Sequence, residues 1–279
     1  MGCHMIEIVY NDFFRKKGFV LDDAYDPYKL NVFLKFYSDN NCEYINSKDV
    51  ALENLKSFSG LKYLSIPDEA IHYYELSSLT DLKGVELCYS QLQYIPLRIK
   101  ESIEDIVLHV GNSTVSINDL INLQGLKLDG FPGFNNTDLN FISELKLKRL
   151  SIMSKKIKAL TGIKKQHGLE NLIINSCSKL YDISEIASLN NLKTLCLNEC
   201  NNLQNNFMDF FPCSLESLSI YGSEYYGPRC SFSTLDFLQK MKNLKVFKTN
   251  YKISSEQLIS LSNTVPKIEV YGQSSKKEG

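Results

Sequence analysis

The amino-acid sequence predicts an α/β solenoid: a curved parallel sheet on a concave face, short helices, 3-10 turns and loops on a convex face, and an N-terminal cap. Three observations predict it. Apolar triplets with one fixed internal spacing recur along the chain, the residue after the first member of each triplet is never apolar, and a second apolar set follows most triplets at three-residue offsets.

The triplets carry most of the weight. They are Leu61/Leu64/Ile66, Leu82/Val85/Leu87, Ile103/Ile106/Leu108, Leu123/Leu126/Leu128, Leu147/Leu150/Ile152, Leu169/Leu172/Ile174, Leu192/Leu195/Leu197 and Leu215/Leu218/Ile220, with weaker copies at Leu244/Phe247 and Ile268. Successive first members lie 21, 21, 20, 24, 22, 23, 23, 29 and 24 residues apart. A unit of that length cannot cover its own apolar face, so stacked neighbours must do it. The second and third members alternate with solvent-facing residues, which is the period of a strand. Stacking then lays the strands side by side in parallel. The residue after each first member supports the register independently: Lys62, Lys83, Glu104, Gln124, Lys148, Glu170, Lys193, Glu216, Lys245 and Glu269.

The return segments follow from the second apolar set. Leu92 with Ile95, Leu120 with Ile121, Leu139 with Ile142, Ile183 with Ile186, and Leu235 with Leu238 suit a helical turn packed on the convex side. Asn118, Asp138, Ser184 and Ser233 are the expected caps.

The ends depart from the repeat. Residues 1–4 read as a cloning remnant ahead of a natural start at Met5. Residues 5–60 are expected to cap the stack, with strands at 5–10 and 28–37 and an amphipathic helix at 49–58, where Leu52, Leu55 and Phe58 fall three apart. The repeats run over 61–272, and the polar 273–279 reads as a frayed tail. The longest step, 29 residues, holds an insertion at 221–231 with Tyr225, Tyr226 and Arg229, residue types enriched at binding hot spots.

This pattern resembles the leucine-rich-repeat family over roughly residues 52–272. Two copies, ending in Cys177-x-x-Leu180 and Cys200-x-x-Leu203, carry the family's Asn/Cys position as cysteine. The resemblance implies that these cysteines turn the chain after the strand and bond to the neighbouring coil. Ser90, Gly111, Phe131 and Lys155 stand there in other copies, so irregular convex turns are expected. It also implies a concave face lined by the residues between the buried ones. Carried over copy by copy, the expected partner-binding set is Tyr63, Glu86, Tyr89, Asp105, His109, Lys127, Asp129, Arg149, Met153, Asn198, Glu199, Tyr221, Lys248 and Tyr251, with Tyr225, Tyr226 and Arg229 of the insertion.

Composition narrows the function. A net charge of −1, from 31 basic and 32 acidic residues, gives no whole-molecule attraction to nucleic acid or an anionic membrane. The locally basic 146–165 stretch reads as a solvated convex edge. No apolar run is long enough to span a bilayer, and no secretory signal is visible. Eight cysteines without a repeating framework spacing read as reduced thiols in a cytoplasmic protein. Nucleotide-loop, hydrolase-elbow and zinc-protease motifs are absent, so no catalytic residue, cofactor or metal is expected. The expectation is a monomeric, non-catalytic module that binds another protein. In size it resembles the leucine-rich-repeat immunity proteins of bacteria, which points to a toxin domain as partner. A regulatory or scaffold subunit of a cytosolic enzyme complex and a secreted effector binding a host protein are the alternatives.

Overall fold

The computed structural model describes residues 8–21, 27–47, 52–58, 60–66, 73–130, 134–203, 206–222, 235–262 and 264–271. The chain divides into two compact units, one holding Met1–Val110 with Asn118–Lys127, the other Gly111–Ile117 with Leu128–Gly279.

In the first unit β1 (Ile8–Asn11) pairs antiparallel with β2 (Lys16–Leu21). From there the pairing is parallel, through β3 (Tyr44–Ser47), β4 (Tyr63–Ser65), β5 (Gly84–Cys88) and β6 (Asp105–His109). Ile45 aligns with Leu64, Leu64 with Val85, and Val85 with Ile106, so the buried members of successive triplets stack on one another. All four are fully buried. The stack therefore begins one coil before Leu61, at Ile45.

The crossover from β2 to β3 corrects one expectation. Residues 28–37 belong to α1 (Pro27–Asp39), not to a strand. Aromatic and β-branched residues gave the segment a strand-like composition, but Pro27 sits at its first position, where its missing N–H costs nothing. Tertiary contacts then fix the helix: Phe33 is buried, and the Tyr37 ring meets Phe58 edge-on at 5.3 Å. The helix expected at 49–58 is a shorter 3-10 segment, Leu52–Ser57, with Leu55 and Phe58 in the core. After β5 the chain runs through a 3-10 segment, Tyr89–Tyr94, into α2 (Leu97–Ser102).

The second unit repeats one coil with little change. Its strands β8 (Arg149–Ser154), β9 (Asn171–Asn175), β10 (Thr194–Asn198), β11 (Ser217–Tyr221), β12 (Val246–Thr249) and β13 (Lys267–Val270) pair in parallel in chain order. The division between the units runs within β7 (Gly125–Gly130). After β12 a short helix, α3 (Ser255–Ser262), leads to β13.

The return segments are 3-10 for a reason visible in their spacing. Ile183, Ile186, Leu189 and Leu192 lie three apart, the N–H groups of the last three each bond to the carbonyl three residues back at 3.0 Å, and all four residues are at most 1% exposed. Three residues per turn puts every third side chain on one face. The same rule corrects Ile121. Leu123 N–H bonds to the Leu120 carbonyl, which turns Leu120 and Leu123 inward and leaves Ile121 67% exposed. Asp138 accepts the Asn140 N–H as expected, whereas the cap expected at Ser184 is Asp182, whose carboxylate accepts the Ser184 N–H at 2.8 Å. Asn118 opens a turn and no helix, and Ser233 lies outside the described residues.

The cysteine position behaves as the family resemblance implies. Cys177 sets its thiol 3.4 Å from the Asn175 carbonyl and 4.0 Å from that of Ile152, one coil back. Cys200 does the same toward Asn198 and Ile174 at 3.5 and 3.7 Å. At the opposite end of the strands, the residues after the first triplet members form ion pairs between coils: Glu43–Lys62, Lys83–Glu104, Glu170–Lys193 and Glu216–Lys245.

The last coil is shifted relative to the sequence reading. Phe247 aligns with Ile268, so Ile268 is the second member of its triplet and Val265, 2% exposed, is the first. Thr249, fully buried, takes the third-member place in the coil before, and its hydroxyl accepts the Tyr251 N–H at 3.0 Å.

Candidate functional site

Residues between the buried members of each triplet point away from the core, and the register stacks them in rows across neighbouring strands. In the second unit one row runs Met153, Asn175, Asn198, Tyr221. A second runs Arg149, Asn171, Thr194, Ser217. Between them lie Ser151, Ile173, Cys196, Ser219, Lys248 and Glu269. Most of these side chains are half-buried, held upright by neighbours one strand spacing away.

The C-terminal end of this face is the most strongly organised. Glu269 accepts from Lys267 at 2.6 Å, from the Tyr271 hydroxyl, and from Lys248 at 3.1 Å. Those three donors, Lys267 foremost, hold its carboxyl down at about 2. The Tyr221 and Tyr271 rings meet at 6.0 Å. Asn250 binds Gly222 twice, accepting its N–H at 2.8 Å and donating to its carbonyl at 3.0 Å.

The expected partner-binding residues separate into groups. Arg149, Met153, Asn198, Tyr221 and Lys248 lie half-buried on the open face of the second unit, and Asp129 is half-buried on β7. Tyr63, Glu86 and His109 lie on the corresponding face of the first unit, and Lys127 on its part of β7. Tyr89 begins a 3-10 segment and so leaves the strand row. Asp105 is only 6% exposed. Glu199 sits in a left-handed turn at φ 54° and accepts the Ser176 hydroxyl at 2.6 Å, joining two coil turns. Tyr251 follows the end of β12, past the strand row. Tyr225, Tyr226 and Arg229 lie outside the described residues.

Two parts of the site were missed. Lys267, Glu269 and Tyr271 become face residues once Val265 is read as the first member of the last triplet, a signal the sequence does contain. The other is the tip of the β1–β2 hairpin, which covers part of the first unit's face. Phe14 lies 5.2 Å from the Tyr63 ring and 5.9 Å from that of Tyr44, and with Tyr44 and Val107 it forms a buried cluster. Nothing in the repeat periodicity announces this.

Among the described residues no group of three His, Cys, Asp or Glu side chains could hold a metal. A cleft of about 260 Å³ beside the hairpin is lined by Arg15, Lys16, Lys17, Asn40, Asn41 and Glu43, and Lys16 there is already paired with Glu43. Burial pushes the Cys177 and Cys196 thiols up to about 11 and that of Cys200 well above its usual value. Burial thus favours the protonated, weakly nucleophilic form of these thiols. The basic stretch is dispersed: Lys164 pairs with Glu185, Lys165 with Glu144, and Lys156 bonds to Asn112 and Asn135. No described helix is long and apolar enough to cross a membrane.

No protein-family model and no curated protein matches the sequence. Among solved structures the chain is similar to a leucine-rich-repeat protein of Leptospira interrogans, at 18% identity and a TM-score of 0.47, covering 85% of this chain and 74% of that one. It is also similar to the leucine-rich-repeat domain of the type III effector XopL, at 18% identity and a TM-score of 0.41, covering 67% of this chain and 79% of that one. Strand, turn and 3-10 return, repeated coil after coil in one register, give each unit the leucine-rich-repeat fold.

Proposed function

We propose that the chain is a non-catalytic protein-binding module whose contact surface is the open face of β8–β13. The observation that carries this reading is the register of that face. Six parallel strands hold Arg149, Tyr221, Lys248 and Glu269 upright above a core in which Leu150, Leu172, Leu195, Leu218 and Phe247 are at most 1% exposed. A surface ordered before binding loses little conformational entropy on association, and tyrosine and arginine are hot-spot residue types.

The finer reading is an immunity protein that neutralises a cognate bacterial toxin in the cytoplasm, as a monomer. The free thiols at Cys42, Cys88, Cys177, Cys196, Cys200 and Cys213 support a reducing compartment. The mixed charge of the face supports a protein partner over nucleic acid, which would call for a basic stripe.

The test is co-expression with each candidate toxin found encoded beside this gene, together with pull-down by the immobilised protein. The native chain restores growth and retains the toxin. Arg149→Ala with Tyr221→Ala, melting as the native protein does, loses both. Retention undiminished in that double variant refutes the proposed face. A housekeeping enzyme captured in place of a toxin refutes the immunity reading and leaves the binding module standing.

A further inference from the structure

We infer that the first unit carries a second binding site, a floor on β3–β6 for an aromatic-tipped loop with basic flanks, occupied in this structure by the chain's own β1–β2 hairpin. It lies outside the face proposed above and does not depend on it.

The floor is built for an occupant. Val107 faces away from the repeat core, at a strand position that solvent should reach, yet it is 1% exposed because Phe14 packs on it. Of the equivalent positions in the second unit, the small Ser151 is 7% exposed and those from Ile173 to Lys248 are half-buried. Gly84 supplies the room. A Cβ there would come within 2.6 Å of the Tyr63 ring and 3.2 Å of the Phe14 ring. Polar contacts then orient the guest. Asn11 accepts the Phe13 and Phe14 N–H groups at 3.1 and 2.9 Å, which shapes the turn, and donates to Glu86 at 3.2 Å. The other Glu86 oxygen meets His109 at 3.0 Å. Charge adds to this: Arg15, Lys16 and Lys17 of the hairpin line a cleft together with Glu43. Lys16 pairs with Glu43 and lies over the Tyr63 ring at 5.3 Å.

The occupant is held by contacts that can be released. A two-stranded hairpin is marginally stable by itself, and this one sits at the first edge of its sheet. Its turn holds Arg15 at φ 57°, a conformation that disfavours residues other than glycine. A partner loop presenting an aromatic ring between lysines or arginines would meet the same floor and displace it.

The experiment uses the full chain and a labelled, disulfide-cyclised peptide with the sequence of residues 8–21 as probe. Phe14→Ala, which vacates the floor, is expected to bind the peptide at least about tenfold more tightly than the native protein, a difference of about 1.4 kcal/mol. A peptide with alanine in place of Phe14 should not bind. In the same variant trypsin should cut after Arg15, Lys16 and Lys17 well before it cuts in the native chain. Asn11→Ala, which removes the turn contacts and the bonds to Glu86 and Tyr44, should show both effects more weakly. Equal peptide binding by variant and native protein overturns the inference, as does absence of binding to either variant. Loss of the far-UV signal in both variants also overturns it, since the hairpin would then be permanent core.

Discussion

Gln166 bonds to Leu147 across one coil: its side-chain oxygen accepts the Leu147 N–H at 3.0 Å while its amide nitrogen donates to the Ile142 carbonyl at 2.7 Å. Gln166 is 1% exposed and stands where the run Leu160, Ile163, Gln166, Leu169 calls for an apolar residue. In the coil before, Leu145 and Leu147 are two residues apart, one short of the three-residue spacing. The Leu147 N–H therefore needs a partner from the next coil, and Gln166 supplies it. Replacing it with the residue the pattern favours, Gln166→Leu, should destabilise the protein. Leaving the buried Leu147 N–H unpaired costs about 1–3 kcal/mol, whereas the Ile142 carbonyl keeps the Leu145 N–H at 3.0 Å. Urea unfolding should show a lower midpoint at unchanged slope, and a variant as stable as the native protein would refute the account.

Gln166 also marks where the sequence stops being legible. The triplets gave the strands and their register because Leu and Ile at fixed spacing have one satisfactory arrangement, buried against copies of themselves. Where a coil lacks leucine the reading slips: Val265-Pro266-Lys267-Ile268 hides the start of the last triplet, and three face residues go with it. Residues 28–37 read as strand from their aromatics, yet they lie in the helix Pro27–Asp39, where Phe33 is buried and the Tyr37 ring meets Phe58. Least legible is the covered floor. Phe13 and Phe14 in a turn look like exposed aromatics until the fold brings Gly84 and Val107 beneath them.

Thiol reactivity should follow burial. Burial holds the Cys177 and Cys196 thiols at about 11 and that of Cys200 higher than its usual value, so all three are protonated near neutral pH. The thiolate is the species that alkylates. Among the described cysteines Cys213, exposed on the surface, should therefore be modified first by iodoacetamide, with the fully buried Cys177 reacting only as the protein unfolds. Peptide mapping against time reads this directly. Native-state labelling of Cys177 at the rate of Cys213 would contradict it.

The charges after each first triplet member alternate in the second unit: Lys148, Glu170, Lys193, Glu216, Lys245. Neighbours along this line pair at 3.0 Å for Lys193–Glu170 and 2.5 Å for Lys245–Glu216. Single exposed pairs contribute little, but a slip by one coil would set like charges against each other, so the line favours the correct register. Glu216→Lys puts three lysines in succession and should lower the melting temperature at low salt. About 1 M sodium chloride, where the screening length is about 3 Å, should restore most of the loss. Adding Lys245→Glu should recover part of it without salt, since it re-forms one opposite-charge pair while the lysine at position 216 still neighbours Lys193. A salt-independent loss would mean that packing, and not charge, is responsible.

Acid should weaken the C-terminal end of the face first. Glu269 ionises at about 2 in the folded protein, against an ordinary value of 4.5, because Lys267, the Tyr271 hydroxyl and Lys248 all donate to its charged form. A depressed carboxyl favours folding at any pH above its unfolded value, and that contribution is lost as the pH falls from 4.5 toward 2. Glu269→Gln has no such proton to bind, so its stability should fall less than that of the native chain between neutral pH and pH about 3. Urea midpoints for the two proteins should converge as the pH drops through that window. Parallel curves throughout would show that Glu269 is as easily protonated folded as unfolded, and that its three donors do not hold it.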